Sequence, residues 1–161
     1  MNSPFGFASA VADGSIILGL QVASKDALLA ALAAVAARAT GIADSTILER
    51  VCEREALGST GFGQGAAIPH ARIGGLPAVT VVVARLVVGV DYGALDGEPV
   101  DIAVLLLSPE GAGADHLKAL ARVSRALRDP ASLARFRDAA DIAEMRTVIA
   151  GKPQPAGQKA A

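Results

Sequence analysis

The chain has 161 residues and a formal net charge of −1, from 15 lysines and arginines against 16 aspartates and glutamates. That fits one domain able to bury a core, and it gives no electrostatic reason to expect a nucleic-acid partner. Hydrophobic residues make up 52% of the sequence but aromatics only 3%, so the core has to be built from Ala, Val, Leu and Ile.

The N-terminal "MNSPFGFASAVADGS" has no basic run ahead of an apolar stretch, so no secretory signal is expected. Together with the tail "GKPQPAGQKAA" it reads as loose ends, residues 1–15 and 151–161, around a single domain over residues 16–150. "SIILGLQVA" reads as a short first strand. In "SKDALLAALAAVAARAT" Ser24 is placed to cap a helix, Asp26 sits in its first turn, and Leu28, Leu29, Leu32, Val35 and Ala36 share one face until Gly41 ends it. The longest apolar run, residues 27–37, stops at Arg38, short of the roughly 20 residues a membrane span needs.

A second helix is expected from Asp44, with Thr46 and Glu49 spaced as a capping box and Ile47, Leu48, Val51 and Cys52 as its apolar stripe. The single cysteine excludes an intrachain disulfide and fits a reducing compartment, so the expected location is cytoplasmic; on that stripe Cys52 reads as an inert core thiol. "AVTVVVARLVV" is strand-like, "VDYGALDGEP" a loop, and "VDIAVLLL" a central strand covered on both faces. "HLKALARVSRALRD" follows as a helix with Leu117, Leu120, Ala121, Ser124 and Leu127 on one face. Its Lys118, Arg122 and Arg125 read as a solvated stripe. Asp129-Pro130 closes it before two shorter helical segments. Helices and strands alternate, giving an α/β sheet with helices on its faces, and the short spacing between some strands allows a mixed sheet.

The chemistry concentrates in "GSTGFGQGAAIPHAR", residues 58–72, where Gly61, Gly63 and Gly65 precede Pro69-His70. The loop can hold a ligand's phosphate on its amides, or present His70 to receive one; the glycines can also serve turn geometry alone. Only two histidines exist, and the second, His116, opens a helix at the carboxyl end of the apolar strand, where ligands of open α/β sheets bind. Arg54 stands just before the loop. A neutral imidazole is a competent phosphoryl acceptor, and an arginine, a second imidazole and hydroxyls such as Ser59 and Thr60 suit the charge of a migrating phosphoryl group. "GFGQGA" has the wrong spacing for a dinucleotide fingerprint, no Walker signature is present, and two distant histidines with one cysteine make a poor zinc site.

"REALGSTGFGQGAAIPHAR" resembles the active-site signature of the phosphotransferase-system enzyme IIA components of the fructose/mannitol class: an arginine, Leu-Gly-Ser-Thr-Gly, a glycine-rich stretch and Ile-Pro-His. The segment from Gly89 to Asp129 resembles the family's second signature, with Leu-Asp-Gly-x-Pro-Val and a His-Leu-x-x-Leu-Ala helix. The likeness runs over roughly residues 16–150. It implies the enzyme IIA mannitol/fructose-like fold, a mixed β-sheet flanked by helices on both faces. It also implies His70 as the phosphorylated nucleophile, Arg54 and His116 as active-site partners, and Ser59 and Thr60 as supporting hydroxyls. The implied phosphoryl donor is a small HPr-like carrier protein, with no metal and no organic cofactor. Phe62 and Gln64 depart mildly from the commonest pattern and remove no group the chemistry needs. "LLLSPEGAGADHLKALARVSR" is more similar to the nitrogen-regulatory branch, whose partners are transporters or sensor kinases. The sugar-specific branch would instead pass phosphate to a IIB domain. A binding module that is no longer phosphorylated is the reading from another class.

Overall fold

The structure is a computed structural model that describes residues 7–151; the parts of the expected tails at residues 1–6 and 152–161 lie outside the described residues. The order along the chain is β1 (Ile16–Leu20), α1 (Lys25–Thr40), α2 (Asp44–Ala56), β2 (Gly61–Gly63), β3 (Ala66–Ala67), β4 (His70–Ile73), β5 (Thr80–Val90), β6 (Val100–Pro109), α3 (Gly113–Arg128), α4 (Pro130–Asp138) and α5 (Ile142–Ile149).

The apolar run of β6 makes it the centre of a mixed sheet. It pairs antiparallel with β5, which pairs parallel with β1; on its other side it pairs parallel with β3 and then β4, and β2 closes on β3 antiparallel. Alternation sorts the two faces. Val82 and Ala84 of β5 and Ala103, Leu105 and Leu107 of β6 pack under α1 and α2. Val81 and Val83, with Ile102, Val104 and Leu106, pack under α3, α4 and α5. Each fully buried aliphatic side chain contributes about 1.5–3 kcal/mol, so a strand buried on both faces is the strongest anchor for groups at its ends. Pro69 has no N–H to give the ladder, and it falls where β3 stops; its carbonyl still accepts from Leu106 N at 3.0 Å, and β4 resumes at His70 opposite Leu106.

Ser24 caps α1 as expected, its Oγ accepting from Ala27 N at 3.1 Å, and Gly41 ends that helix at φ 77°. Four expectations need correction. The capping box at Thr46 and Glu49 does not form: the N-cap of α2 is Ala43, with no side-chain cap. Cys52 is exposed, because the buried stripe of α2 is the narrow Ile47–Val51 line and residue 52 is rotated about 100° from it. In α3 the buried stripe is His116, Ala119, Val123, Ala126 and Leu127, which leaves Leu117 67% exposed. Residues 7–15 are not a loose end: Phe7 and Val11 are buried, and the Arg146 guanidinium donates to the carbonyls of Val11 and Ala12 at 3.0 and 3.1 Å. Among the described residues, no helix is long and apolar enough to cross a membrane.

Candidate active site

His70 opens β4, and its two ring nitrogens have opposite neighbours. Nδ1 lies 2.8 Å from the carbonyl oxygen of Ile68, which can only accept, so Nδ1 carries the proton. Nε2 receives the Nε–H of Arg54 at 3.2 Å, so it holds the lone pair. This is one defined neutral tautomer. Arg54 sits in the last turn of α2 and is braced in turn by donating from Nη1 to Gly58 O at 2.9 Å.

His116 approaches from α3, with ring centroids 5.5 Å apart and planes tilted by 47°. It is buried, and its Nδ1 lies 2.8 Å from Oγ of Ser108, a fully buried hydroxyl near the end of β6. The three groups predicted from sequence therefore meet, from α2, β4 and α3, in an open cleft of about 500 Å³. Sequence reasoning missed Arg72 and Arg50, which line the same cleft. For Arg72 the signal was present, since two residues along a strand from His70 is the same face. Three arginines against Glu53 and Glu110 give the cleft a positive excess that the whole chain lacks.

Ser59 and Thr60 stand apart from this cleft. Ser59 Oγ accepts from Gly61 N at 3.1 Å. The Thr60 hydroxyl donates to Glu55 and lies 3.0 Å from the Tyr92 hydroxyl, inside a buried cluster. The glycine loop is a hairpin turn. Gly63, Gln64 and Gly65 take φ values of 121°, 63° and 80°, which is why glycine flanks Gln64. The amides of Gly61 and Gln64 are committed to Ser59 Oγ and to Asp96 Oδ2, and Gly65 O accepts from Asp101 and Ile102, so the loop is built for its own turn rather than as a phosphate cradle. Cys52 is not among the residues lining the cleft; the part of its thiol that is covered, then the nearby Asp26 and Glu55 charges, push it up from the ordinary range. Among the described residues no group of three or more His, Cys, Asp or Glu could hold a metal ion.

Burial is the largest cause lowering the pKa of His70; the Arg54 charge adds to it, while the Ile68 carbonyl and Glu55 oppose. His116 is lowered by burial, then by His70 and Arg72. Both rings thus bind fewer protons near pH 6.5 when folded than when unfolded, so stability is expected to fall as pH drops below about 6.5. The His70 ring, followed by NMR, should titrate with a midpoint below that value; a midpoint above it would contradict the geometry just described.

A mixed sheet between two helical layers is the fold of solved phosphotransferase-system enzyme IIA proteins of the nitrogen-regulatory and mannitol kinds, and here a histidine pair and an arginine meet beside its central strand. The chain belongs to that family: residues 10–152 match the model of the phosphoenolpyruvate-dependent sugar phosphotransferase system, EIIA 2. It is 44% identical over 146 residues to a nitrogen regulatory protein of Bradyrhizobium diazoefficiens, covering 91% of this chain and 95% of that one. Among solved structures it is similar to nitrogen regulatory protein IIA-Ntr from Neisseria meningitidis, with a TM-score of 0.85, 29% identity and coverage of 89% and 98% of the two chains. The fold is also that of enzyme IIA for mannitol from Escherichia coli, solved in complex with phosphorylated IIB, with a TM-score of 0.73, 17% identity and coverage of 88% and 97%.

Proposed function

We propose that this member of the phosphocarrier family accepts a phosphoryl group on Nε2 of His70 from an HPr-like protein and acts as a nitrogen-regulatory-type IIA. The observation that carries the reading is the fixed tautomer: Ile68 holds the proton on Nδ1, and the lone pair of Nε2 faces Arg54 at the cleft. In the transfer, the Nε2 lone pair forms a bond to phosphorus as the bond from phosphorus to the donor's imidazole nitrogen breaks, and that nitrogen keeps the electron pair. The proton stays on Nδ1, donated to the Ile68 carbonyl, whose oxygen supports the positive charge developing on the ring. Arg54 turns its N–H groups from nitrogen to the phosphoryl oxygens, and with the Ser108 hydroxyl donating to Nδ1, His116 presents its Nε2 proton to them as well. Ser59 and Thr60 act through the loop they order rather than by touching the phosphoryl group. The identity to nitrogen regulatory proteins supports the regulatory branch, in which transporters or sensor kinases are the targets.

The test incubates the protein with phosphoenolpyruvate, enzyme I and an HPr-type carrier, and maps any phosphoryl gain by mass spectrometry. One acid-labile, base-stable phosphoryl on His70 is the expected result. No gain while a control IIA is labelled in the same mixture would leave a binding module only. Rapid onward transfer to a IIB domain would move the chain to the sugar-uptake branch.

A further inference from the structure

Both nitrogens of His70 are set by one short segment, residues 58–60, which joins α2 to β2. At its near end, the Gly58 carbonyl takes the Nη1–H of Arg54, whose Nε–H meets His70 Nε2. At its far end, the Thr60 carbonyl accepts from Ile68 N at 3.1 Å, and it is the Ile68 carbonyl that takes the Nδ1 proton. Whatever holds this segment holds the tautomer and the arginine together.

The Gly58 end is held by a backbone bond, Gly58 N to Glu55 O at 3.1 Å, and at the Thr60 end the holder is a single side chain. Glu55 Oε1 accepts from the Thr60 amide at 3.1 Å, and Oε2 accepts from the Thr60 hydroxyl and, at 3.1 Å, from the Tyr92 hydroxyl. Lys25, at the start of α1, completes the set with its Nζ 2.9 Å from Oε1 and 4.3 Å from the centre of the Tyr92 ring. The carboxylate side chain is only 6% exposed, yet it has four donors, one of them the Lys25 cation, which is the satisfied state a buried charge requires. Burial works against its ionisation, but the Thr60 and Lys25 contacts outweigh it and hold the carboxyl below the usual range. A structural tie alone could be made by a neutral side chain; a carboxylate accepting at both oxygens fixes the Thr60 amide and hydroxyl at once.

The geometry points to Glu55 as the positioning residue of the phosphoryl-accepting site: by clamping Thr60 it sets the tautomer of His70 and the placement of Arg54. Its kinetic consequence rests on the phosphocarrier reading above; its effect on the imidazole does not.

The experiment compares wild type, Glu55→Gln, Glu55→Asp and Thr60→Val, each confirmed folded at the assay temperature by near-ultraviolet circular dichroism. Nitrogen-15 shifts of the His70 ring, which need no phosphoryl donor, should show Nδ1–H alone in wild type and a mixture of tautomers in Glu55→Gln. Single-turnover phosphorylation by the HPr-type carrier should slow by about 10–100-fold with little change in the KM for the donor. Glu55→Asp keeps the charge with a shorter reach and should lie between the two. Wild-type shifts and rate in folded Glu55→Gln would overturn the assignment. Should that variant not fold, the same result in both Glu55→Asp and Thr60→Val would do so. A wild type that takes no phosphoryl group sinks the phosphocarrier reading instead, and the ring shifts still decide the role of Glu55.

Discussion

Replacing His70 by alanine is expected to leave the protein with no acid-labile phosphoryl group at all, whereas Arg54→Ala should still be labelled, about 100- to 1,000-fold more slowly. The two losses differ in kind. On the proposed reading His70 supplies the atom to which phosphorus bonds, and His116 does not replace it, because with its Nδ1 accepting from the Ser108 hydroxyl its Nε2 carries a proton instead of a free lone pair. Arg54 supplies charge and N–H donors beside the acceptor nitrogen, and removing one preorganised donor from a partly buried site typically costs about 2.7–4 kcal/mol of barrier. Its second bond, to Gly58 O, fixes where the guanidinium points. Arg54→Lys should therefore recover only part of the rate, because one ammonium cannot brace on a carbonyl and reach the acceptor in the same planar geometry. Rapid quench with intact-mass detection separates these cases. Equal rates for Arg54→Ala and wild type would remove the arginine from the mechanism, and label appearing on His116 in His70→Ala would reassign the acceptor.

The meeting of His70, Arg54 and His116 was legible because their motif residues are local: Arg54 and His70 frame one short loop, and His116 follows the one strand whose apolar run marks it as central. What the sequence concealed depends on direction and on distance. The stripe of α3 begins with a histidine, so apolar pattern alone shifts the face by one residue, toward Leu117. In the fold Leu117 lines the cleft beside His116 instead of the core, and Leu120 lies between the two, lining the cleft while packing against the core edge. Cys52 reads as core by chemistry, yet it lies one helical step off the Ile47–Val51 line. Thr60 sits in the right motif, but its hydroxyl turns to Glu55 and to Tyr92, which lies 32 residues away. The packing of residues 7–15 relies on Arg146, more than 130 residues on, and no local composition announces such a partner.

Gly65→Ala is expected to destabilise the fold by about 2–3 kcal/mol, and the reason separates two effects that glycine loops usually mix. The first is conformational: at φ 80° an alanine is strained by roughly 1–2 kcal/mol wherever it stands. The second is a clash, since a Cβ here would come within 2.3 Å of Arg137 Nη2 and 2.8 Å of Asp101 Oδ1. The arginine's far end can swing away, so the clash itself costs little; what is lost is the clasp. Arg137 pairs with Asp101 at 2.9 Å and donates to the Gln64 carbonyl, tying α4 to the hairpin turn. Both partners are about one-third exposed, so that clasp contributes about 1 kcal/mol at most. Gly75 offers the control: it has φ 81° with nothing within 4 Å of a Cβ, and Gly75→Ala should cost the conformational part alone. In an Arg137→Ala background Gly65→Ala should fall to the same value, leaving a coupling of about 1 kcal/mol in urea unfolding. Equal costs at positions 65 and 75 in the wild-type background would mean that the guanidinium moves aside freely. The turn would then be held by the Asp96 carboxylate and by the Gly65 carbonyl on β6, with Arg137 only resting against it.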